Sequence, residues 1–449
     1  MKKLLSLTFI LLLSFGSYSQ KLKISKNGKY LSTEKGKPFF WMGDTAWELI
    51  HRLDREEVDH YLSTRAAQGF NVIQTVILAE LDGLNTPNAY GQKPLLNNDP
   101  KLLNEAYFEH VDYVIKKAKK LGLQVALLPT WGDKFNIKWG EGPVVFNPEN
   151  AEVFGQLLAK RYLKYDNIIW VLGGDRIPEE EVHFDIVRAM AKGIRSVDSK
   201  HLMSYHPSGT KIASEYFDDE WLDIDMFQSG HSRLSKEYEY AGKVKDNRPI
   251  INGEARYENI GDRFWEKTQR DWLNDADARI SGYWSILSGT AGYTYGCNDV
   301  WQMYAIDREP QLKARTGWDA ALQLPGANQM KYLKALFESL PWQQMSNDQS
   351  LISTPNPEDE SHILASIAQN KDVILAYTPT GKAFQLDLSK VKAKEVNTFW
   401  YNPRSGKSKS AGIYKTTENP VFEPWSNGWG SDFILVVMDV NSEYKLPEF

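Results

Sequence analysis

Cysteine occurs once in the 449 residues, at Cys297. No intramolecular disulfide is possible, and a cysteine-based zinc site is excluded. Stability therefore rests on a packed core. No run of about 18 apolar residues follows the N-terminal segment, so no membrane-spanning helix is expected. Positive charge is not in excess: 53 Lys and Arg face 58 Asp and Glu, a net charge of -5. With no dense basic run, that balance argues against a nucleic-acid partner. No Gly-rich phosphate loop follows the first strand-like run. The HExxH and HxH spacings of metal hydrolases and the GxSxG elbow of serine hydrolases are missing too. Asp44, Asp175, His206 and His231 remain the only candidates for a metal-based alternative. No internal repeat or low-complexity tract is present. What remains is an ordinary soluble composition, 42% hydrophobic and 25% charged, with 15 Trp.

The N-terminus reads as a secretory signal. Lys2 and Lys3 precede an apolar run from Leu4 to Phe15, and Gly16-Ser17-Tyr18-Ser19 follows. Cleavage is expected after Ser19. With no lipoprotein cysteine nearby, a periplasmic or secreted location is expected.

From Leu22 the chain alternates strands and helices. Asn27-Gly28 marks a hairpin turn. Strands are predicted at Phe39–Asp44, Asn71–Leu78, Leu123–Trp131, Asn167–Asp175, His201–Pro207, Ile224–His231, Pro249–Glu254 and Ile280–Leu287. Helices are predicted from Asp54 to Gln68, Tyr107 to Leu121, Glu149 to Tyr165, Pro178 to Ser196, Ser235 to Lys245 and Asp262 to Ala278. The strands are continuous apolar runs, as strands buried on both faces are. Eight strands alternating with helices predict a (β/α)8 barrel over residues 20–341, with a doubly wound open sheet as the runner-up. Two long loops, 79–103 and 132–148, interrupt the pattern; loops of that length are usually functional or mobile. After a helix from Asn328 to Leu340, residues 342–449 carry short strands without helices between them. They predict an antiparallel β-sandwich domain.

The strand ends carry the chemistry. The run Asn167-Ile-Ile-Trp-Val-Leu-Gly-Gly-Asp175 places a carboxylate at the tip of a buried strand. Asn252-Gly253-Glu254 does the same for the seventh strand. In a closed barrel those two tips face each other across the mouth, where catalytic groups sit. Two facing carboxyl groups suit glycoside hydrolysis, one as acid and one as nucleophile or base. Around them, Asp44, Trp47, Gln74, Trp131, Asp133, Lys134, His206, Gln228, His231, Trp284 and Asn298 offer the mixture of hydrogen-bonding groups and aromatic platforms that sugars require. For any single one of these, core packing is the simpler role. No organic cofactor is implied. A non-catalytic carbohydrate-binding protein on the same scaffold is the alternative from another class, and an adhesive role of the C-terminal domain is a third.

The order of Phe40-Trp41-Met42-Gly43-Asp44-Thr45-Ala46-Trp47, Trp170-Val-Leu-Gly-Gly-Asp175, Tyr205-His206-Pro207 and Asn252-Gly253-Glu254 resembles the apiosidase-like glycoside hydrolases, family 140. The resemblance runs from about Leu22 to Pro341, and the remainder resembles the collagen-binding-type β-sandwich often joined to them. It implies a catalytic pair at Asp175 and Glu254, assigned as acid/base and nucleophile with the opposite order left open. It also implies a pectic substrate: side chains attached through apiose to rhamnogalacturonan II. Other furanoside or pectic linkages are the alternative within the class.

Overall fold

The computed structural model describes residues 21–244, 247–268 and 270–449. The expected signal segment lies outside the described residues. Eight parallel strands follow one another along the chain: β1 (Trp41–Thr45), β2 (Val72–Leu78), β3 (Gln124–Thr130), β4 (Ile168–Gly173), β5 (Met203–His206), β6 (Asp225–Gln228), β7 (Ile250–Glu254) and β8 (Gly292–Tyr295). They lie in the order β5-β4-β3-β2-β1-β8-β7-β6, and a two-residue strand, Lys211–Ile212, adds antiparallel to β6 as a ninth. The sheet curls until its two ends approach. There Ser204 and Ile224 form a single parallel bridge, and the Asp223 N–H donates to the Met203 carbonyl at 2.9 Å.

Side chains alternate across this sheet with period two. Trp41, Val76, Leu128, Ile169 and Met226 share an inner core, while Met42, Ile77, Leu127, Trp170 and Leu172 pack outward under the helices. Both faces are apolar, which is why each strand reads as an unbroken hydrophobic run. A three-stranded antiparallel sheet precedes β1, made by Leu22–Ile24, Leu31–Thr33 and Pro38–Phe39. Its Leu22 and Leu31 join the inner core beside Trp41.

The outer layer contains α1 (Arg55–Ala67), α2 (Glu105–Lys120), α3 (Pro148–Tyr162), α4 (Glu181–Val197), α5 (Asp275–Leu287) and α6 (Pro325–Glu338). Asp54 caps α1 by accepting the Glu57 N–H, and Glu57 answers to the Asp54 N–H, a reciprocal cap worth about 1 kcal/mol. Three expectations fail here. The helix expected from Asp262 to Ala278 begins only at Asp275, where Asn274 caps it by accepting the Ala276 N–H. The helix expected over 235–245 is replaced by two 3-10 turns, Glu237–Glu239 and Ala241–Lys243. The segment expected as the eighth strand, Ile280–Leu287, is the second half of α5, and β8 follows it. Every residue of α5 from Ala276 to Leu287 is buried. A helix covered on all sides shows no polar stripe, so its sequence carries no helical period.

What covers α5 is the C-terminal domain. Met345–Asn347, Leu364–Ala368, Val373–Thr378, Phe433–Asp439, Glu395–Asn402 and Lys407–Lys415 lie side by side, in that order, as an antiparallel sheet. A two-stranded sheet, Phe384–Gln385 with Val421–Phe422, shares its apolar core. Tyr283 of α5 stacks on Tyr377 at 4.8 Å, and the Trp284 indole N–H donates to the His362 carbonyl at 3.1 Å. Arg279 of α5 makes a buried pair with Asp432, Nη2 to Oδ1 at 2.8 Å and Nε to Oδ2 at 2.9 Å.

Candidate active site

The end of β4 is built by three consecutive left-handed residues, Gly173 (φ 94°), Gly174 (φ 90°) and Asp175 (φ 53°). Only glycine takes the first two without strain. A Cβ on Gly173 would lie 2.5 Å from the His206 carbonyl oxygen, and one on Gly174 would lie 2.8 Å from the Trp131 Cα. The turn delivers Asp175 into a cleft of about 990 Å³ at the carboxyl end of the sheet. Glu254, the last residue of β7, lines the same cleft.

Two imidazoles hold Glu254. The Tyr257 backbone N–H donates to His231 Nδ1 at 3.3 Å, so the ring proton lies on Nε2, which donates to Glu254 Oε1 at 3.1 Å. His206 repeats the arrangement. The Asp175 N–H donates to its Nδ1 at 3.3 Å, and its Nε2 lies 3.2 Å from Glu254 Oε2, at an angle that leaves both atoms without a fully formed hydrogen bond. Burial pushes the Glu254 carboxyl up, but the two imidazole N–H groups outweigh it and hold the pKa down at about 2. Asp175 goes the other way. Burial first, then the charge of Glu254, raises it to about 6. The two carboxyl groups are thus separated into one that is ionised and one that keeps its proton in mildly acid solution.

The other expected site residues divide into two sets. Trp47, Trp131, Gln228 and His231 line the cleft with the two acids. Trp47 and Trp131 pack on each other at 5.1 Å, and Trp47 meets the His206 ring edge-on at 5.2 Å. Trp131 Nε1 and Gln228 Oε1 are buried without hydrogen-bond partners, atoms suited to sugar hydroxyls. His206, fully buried, stands behind Glu254.

The remaining six lie elsewhere. Asp44 shares the outward face of β1 with Met42, where it accepts from Arg65 Nε at 2.7 Å and from the Tyr61 hydroxyl. Gln74 points into the inner core and donates to the Gly253 carbonyl at 2.7 Å, bracing β7. Asp133 and Lys134 pair with each other at 2.6 Å, fully buried, and Asp133 also takes the Gly142 N–H. Trp284 follows α5 to the domain boundary, where it lines a second cavity of about 970 Å³. Asn298 accepts from the Trp301 indole and donates to the Leu312 carbonyl, tying the segment after β8. Among the described residues no group of three or more His, Cys, Asp or Glu side chains is arranged to hold a metal ion. No helix among them is long and apolar enough to cross a membrane.

Glu80, Tyr257 and Trp139 are among the cleft residues that the sequence reading did not single out as site residues. Glu80 follows the end of β2 as Asp175 follows β4, so the same strand-tip rule would have found it. Arg176 holds Trp139 over the cleft. Its guanidinium lies 4.3 Å from the Trp139 ring and donates to the carbonyls of Asn136, Trp139 and Asp175.

A curled, mostly parallel sheet with two carboxyl groups of opposed protonation at one end, amid aromatic platforms, is the arrangement of a glycoside hydrolase. The chain belongs to the family described as "Apiosidase-like, catalytic domain", which it matches over residues 25–344. Residues 347–438 match the family described as "Putative collagen-binding domain of a collagenase". A solved structure described as a glycoside hydrolase is 32% identical, with a TM-score of 0.87 over 95% of this chain and 98% of that one. A glycoside hydrolase family 5 protein from Bacteroides vulgatus ATCC 8482 has the same identity and TM-score over 95% of this chain and 94% of its own. Another structure from that organism, at 17% identity and a TM-score of 0.69, shares the fold. No curated protein matches the chain.

Proposed function

We propose that this glycosidase is a secreted endo-apiosidase of glycoside hydrolase family 140. It would release the apiose-linked side chains of rhamnogalacturonan II by a retaining mechanism, on a closed (β/α)8 barrel. The observation that carries the chemistry is the split between Asp175 and Glu254. Glu254 is kept ionised and oriented by His206 and His231, as an attacking carboxylate must be. Asp175 keeps a proton to give. In the first step the Asp175 O–H protonates the glycosidic oxygen as the C1–O bond breaks, and a Glu254 oxygen bonds to C1. That ester removes the charge of Glu254, which is one of the two causes raising Asp175, so Asp175 becomes a base. It then takes a proton from the water that attacks C1, and Glu254 leaves as the carboxylate.

The apiosidase-like family supports the sugar, the bridge between β5 and β6 supports closure, and the Lys2–Ser19 pattern supports secretion. The domain division falls near Pro341, with the C-terminal sandwich packed on the catalytic part as a support. The test is product release from rhamnogalacturonan II by the mature protein beside Asp175→Asn and Glu254→Gln. Oligosaccharides ending in apiose, lost in both folded variants, establish the reading. Activity only on another furanoside or pectic substrate removes the apiose assignment and leaves the pair.

A further inference from the structure

Glu80 is a third carboxyl group in the cleft, and neither the fold nor the proposed mechanism uses it. It lies two residues beyond β2, at the same end of the sheet as Asp175 and Glu254, and lines their cleft. Its position is fixed by its neighbours. Glu48 Oε1 accepts the Leu81 N–H at 3.1 Å, the Asp82 N–H donates to the Glu80 carbonyl at 2.8 Å, and Gly83 packs on Ala79 so closely that a Cβ would lie 2.8 Å from the Ala79 nitrogen. Its carboxyl group, by contrast, has no hydrogen bond and no ion pair to any described residue. The acids around it are otherwise engaged: Glu48 with His51, and Asp133 with Lys134. Arg176, the cation nearest to its surroundings, is spent on three backbone carbonyls.

We propose that Glu80 is a substrate-binding residue, which hydrogen-bonds a hydroxyl of the sugar held beside Asp175. The inference rests on Asp175 and Glu254 as the working pair, not on rhamnogalacturonan II as the substrate. The chemistry follows from the surroundings. Burial, then the charges of Asp175, Asp133 and Glu48, push the Glu80 carboxyl well above its ordinary range against the weaker pull of Arg176. A carboxyl group pushed up in this way gains the O–H donor of its protonated form beside its carbonyl acceptor, the pair a sugar hydroxyl needs.

Two measurements decide it. In protein labelled with ¹³C at the Glu carboxyl carbons, Glu80 is assigned from the signal lost in Glu80→Gln. It is expected to titrate well above the ordinary 4.5 and to shift on addition of free apiose or galactose. A Glu80 signal that titrates near 4.5, or that neither sugar moves, overturns the proposal. So does a signal that moves with Ca²⁺ and not with sugar, which would mark a cation site. The second measurement is kinetic. Glu80→Ala is expected to raise KM for the polysaccharide about tenfold, as loss of one well-placed hydrogen bond does, and Glu80→Gln to recover most of that loss. An equal loss in both variants counts against a neutral donor. If the wild type is inactive on rhamnogalacturonan II, the substrate assignment falls while the resonance experiment still judges Glu80.

Discussion

Nε2 of His231 lies 3.1 Å from Oε1 of Glu254, on a ring whose other nitrogen already takes a backbone N–H. The imidazole therefore has one hydrogen to offer and offers it to the carboxylate. Replacing His231 by Ala removes that donor and leaves the burial of Glu254 less opposed. A hydrogen bond to a charged group contributes about 1.5–3 kcal/mol, so the Glu254 pKa should rise by about one to two units. In the proposed mechanism Glu254 acts ionised. The acid limb of the kcat/KM profile, set near 2 in the wild type, should move toward neutrality by that amount. A profile from pH 2 to 8 for both proteins checks the shift, and an unmoved acid limb excludes His231 from this role.

The proposed mechanism assigns the alkaline limb to Asp175, which acts while protonated and loses its proton as pH rises through about 6. Asp175→Asn has no proton to give. It should lose about 10²–10⁴-fold in kcat on a substrate with a sugar leaving group. On an aryl glycoside with an acidic phenol, which departs without protonation, the loss in the glycosylation step should be far smaller, and the alkaline limb should vanish. If the loss is equal on both substrates, Asp175 is not the acid and the opposite order of roles gains support.

The glycine pair before Asp175 is a second point of sensitivity. Gly174→Ala places a Cβ at φ 90° and 2.8 Å from the Trp131 backbone. We expect a loss of about 1–3 kcal/mol in stability and a larger fractional loss of activity, because the turn itself aims Asp175. Urea denaturation with a parallel kcat/KM measurement separates the two effects.

Seven of the eight parallel strands and the placing of two acids at strand tips were legible because their signals are local. A buried parallel strand is a continuous apolar run, and Gly173-Gly174-Asp175 writes its turn into three letters. Trp47, Trp131, Gln228 and His231 were legible as strand-end residues. Position along the chain does not reveal which way a side chain points, however. Asp44 and Gln74 sit on strands beside the site, and the pleat sends Asp44 outward and Gln74 into the core. Asp133 and Lys134 are adjacent and satisfy each other, a pairing that spacing alone does not distinguish from a binding pair. Trp284 went astray with α5, whose all-round burial erases the helical stripe. The Lys407–Lys415 strand was missed for the opposite reason: it is an exposed, lysine-rich edge with almost no apolar residues.

Glu258 makes the stability of the fold depend on pH. It is buried, its Oε2 accepts from the Tyr295 hydroxyl at 2.6 Å, and its Oε1 accepts the Gly326 N–H at 3.1 Å. Burial raises its pKa to about 7, above the ordinary 4.5. The folded protein therefore holds a proton that the unfolded chain has lost between these values, and stability falls as pH rises from about 4.5 to 7. The full span corresponds to about 3 kcal/mol. Asp175, raised for the same reason, adds to the trend. Glu258→Gln should keep the buried hydrogen bonds and remove the Glu258 share, flattening the fall in Tm between pH 5 and 8. An unchanged slope would mean that Glu258 does not titrate in that window.

Arg279 and Asp432 join the two domains through a pair that excludes water, and the cost of breaking it should be visible from both sides. Asp432 also accepts from the Tyr377 hydroxyl at 3.1 Å, while Arg279 keeps bonds to Asp275 and Gln329 at 2.5 Å each. Asp432→Ala leaves a guanidinium buried with part of its shell missing, which costs about 3 kcal/mol. Because Tyr283 and Trp284 of the same helix are packed against the C-terminal sheet, the loss should reach the catalytic part as well as the sheet domain. The expected outcome in urea is one transition at a lower midpoint, with tryptophan fluorescence and activity lost together. Replacing both partners, Arg279→Leu with Asp432→Leu, should recover part of the stability, since the two charges that lose an ion-pair partner, Asp275 and Arg404, keep 30% and 24% of their side-chain surface in solvent. Two separate transitions in Asp432→Ala, with activity surviving the first, would show instead that the catalytic sheet stands without its covering domain.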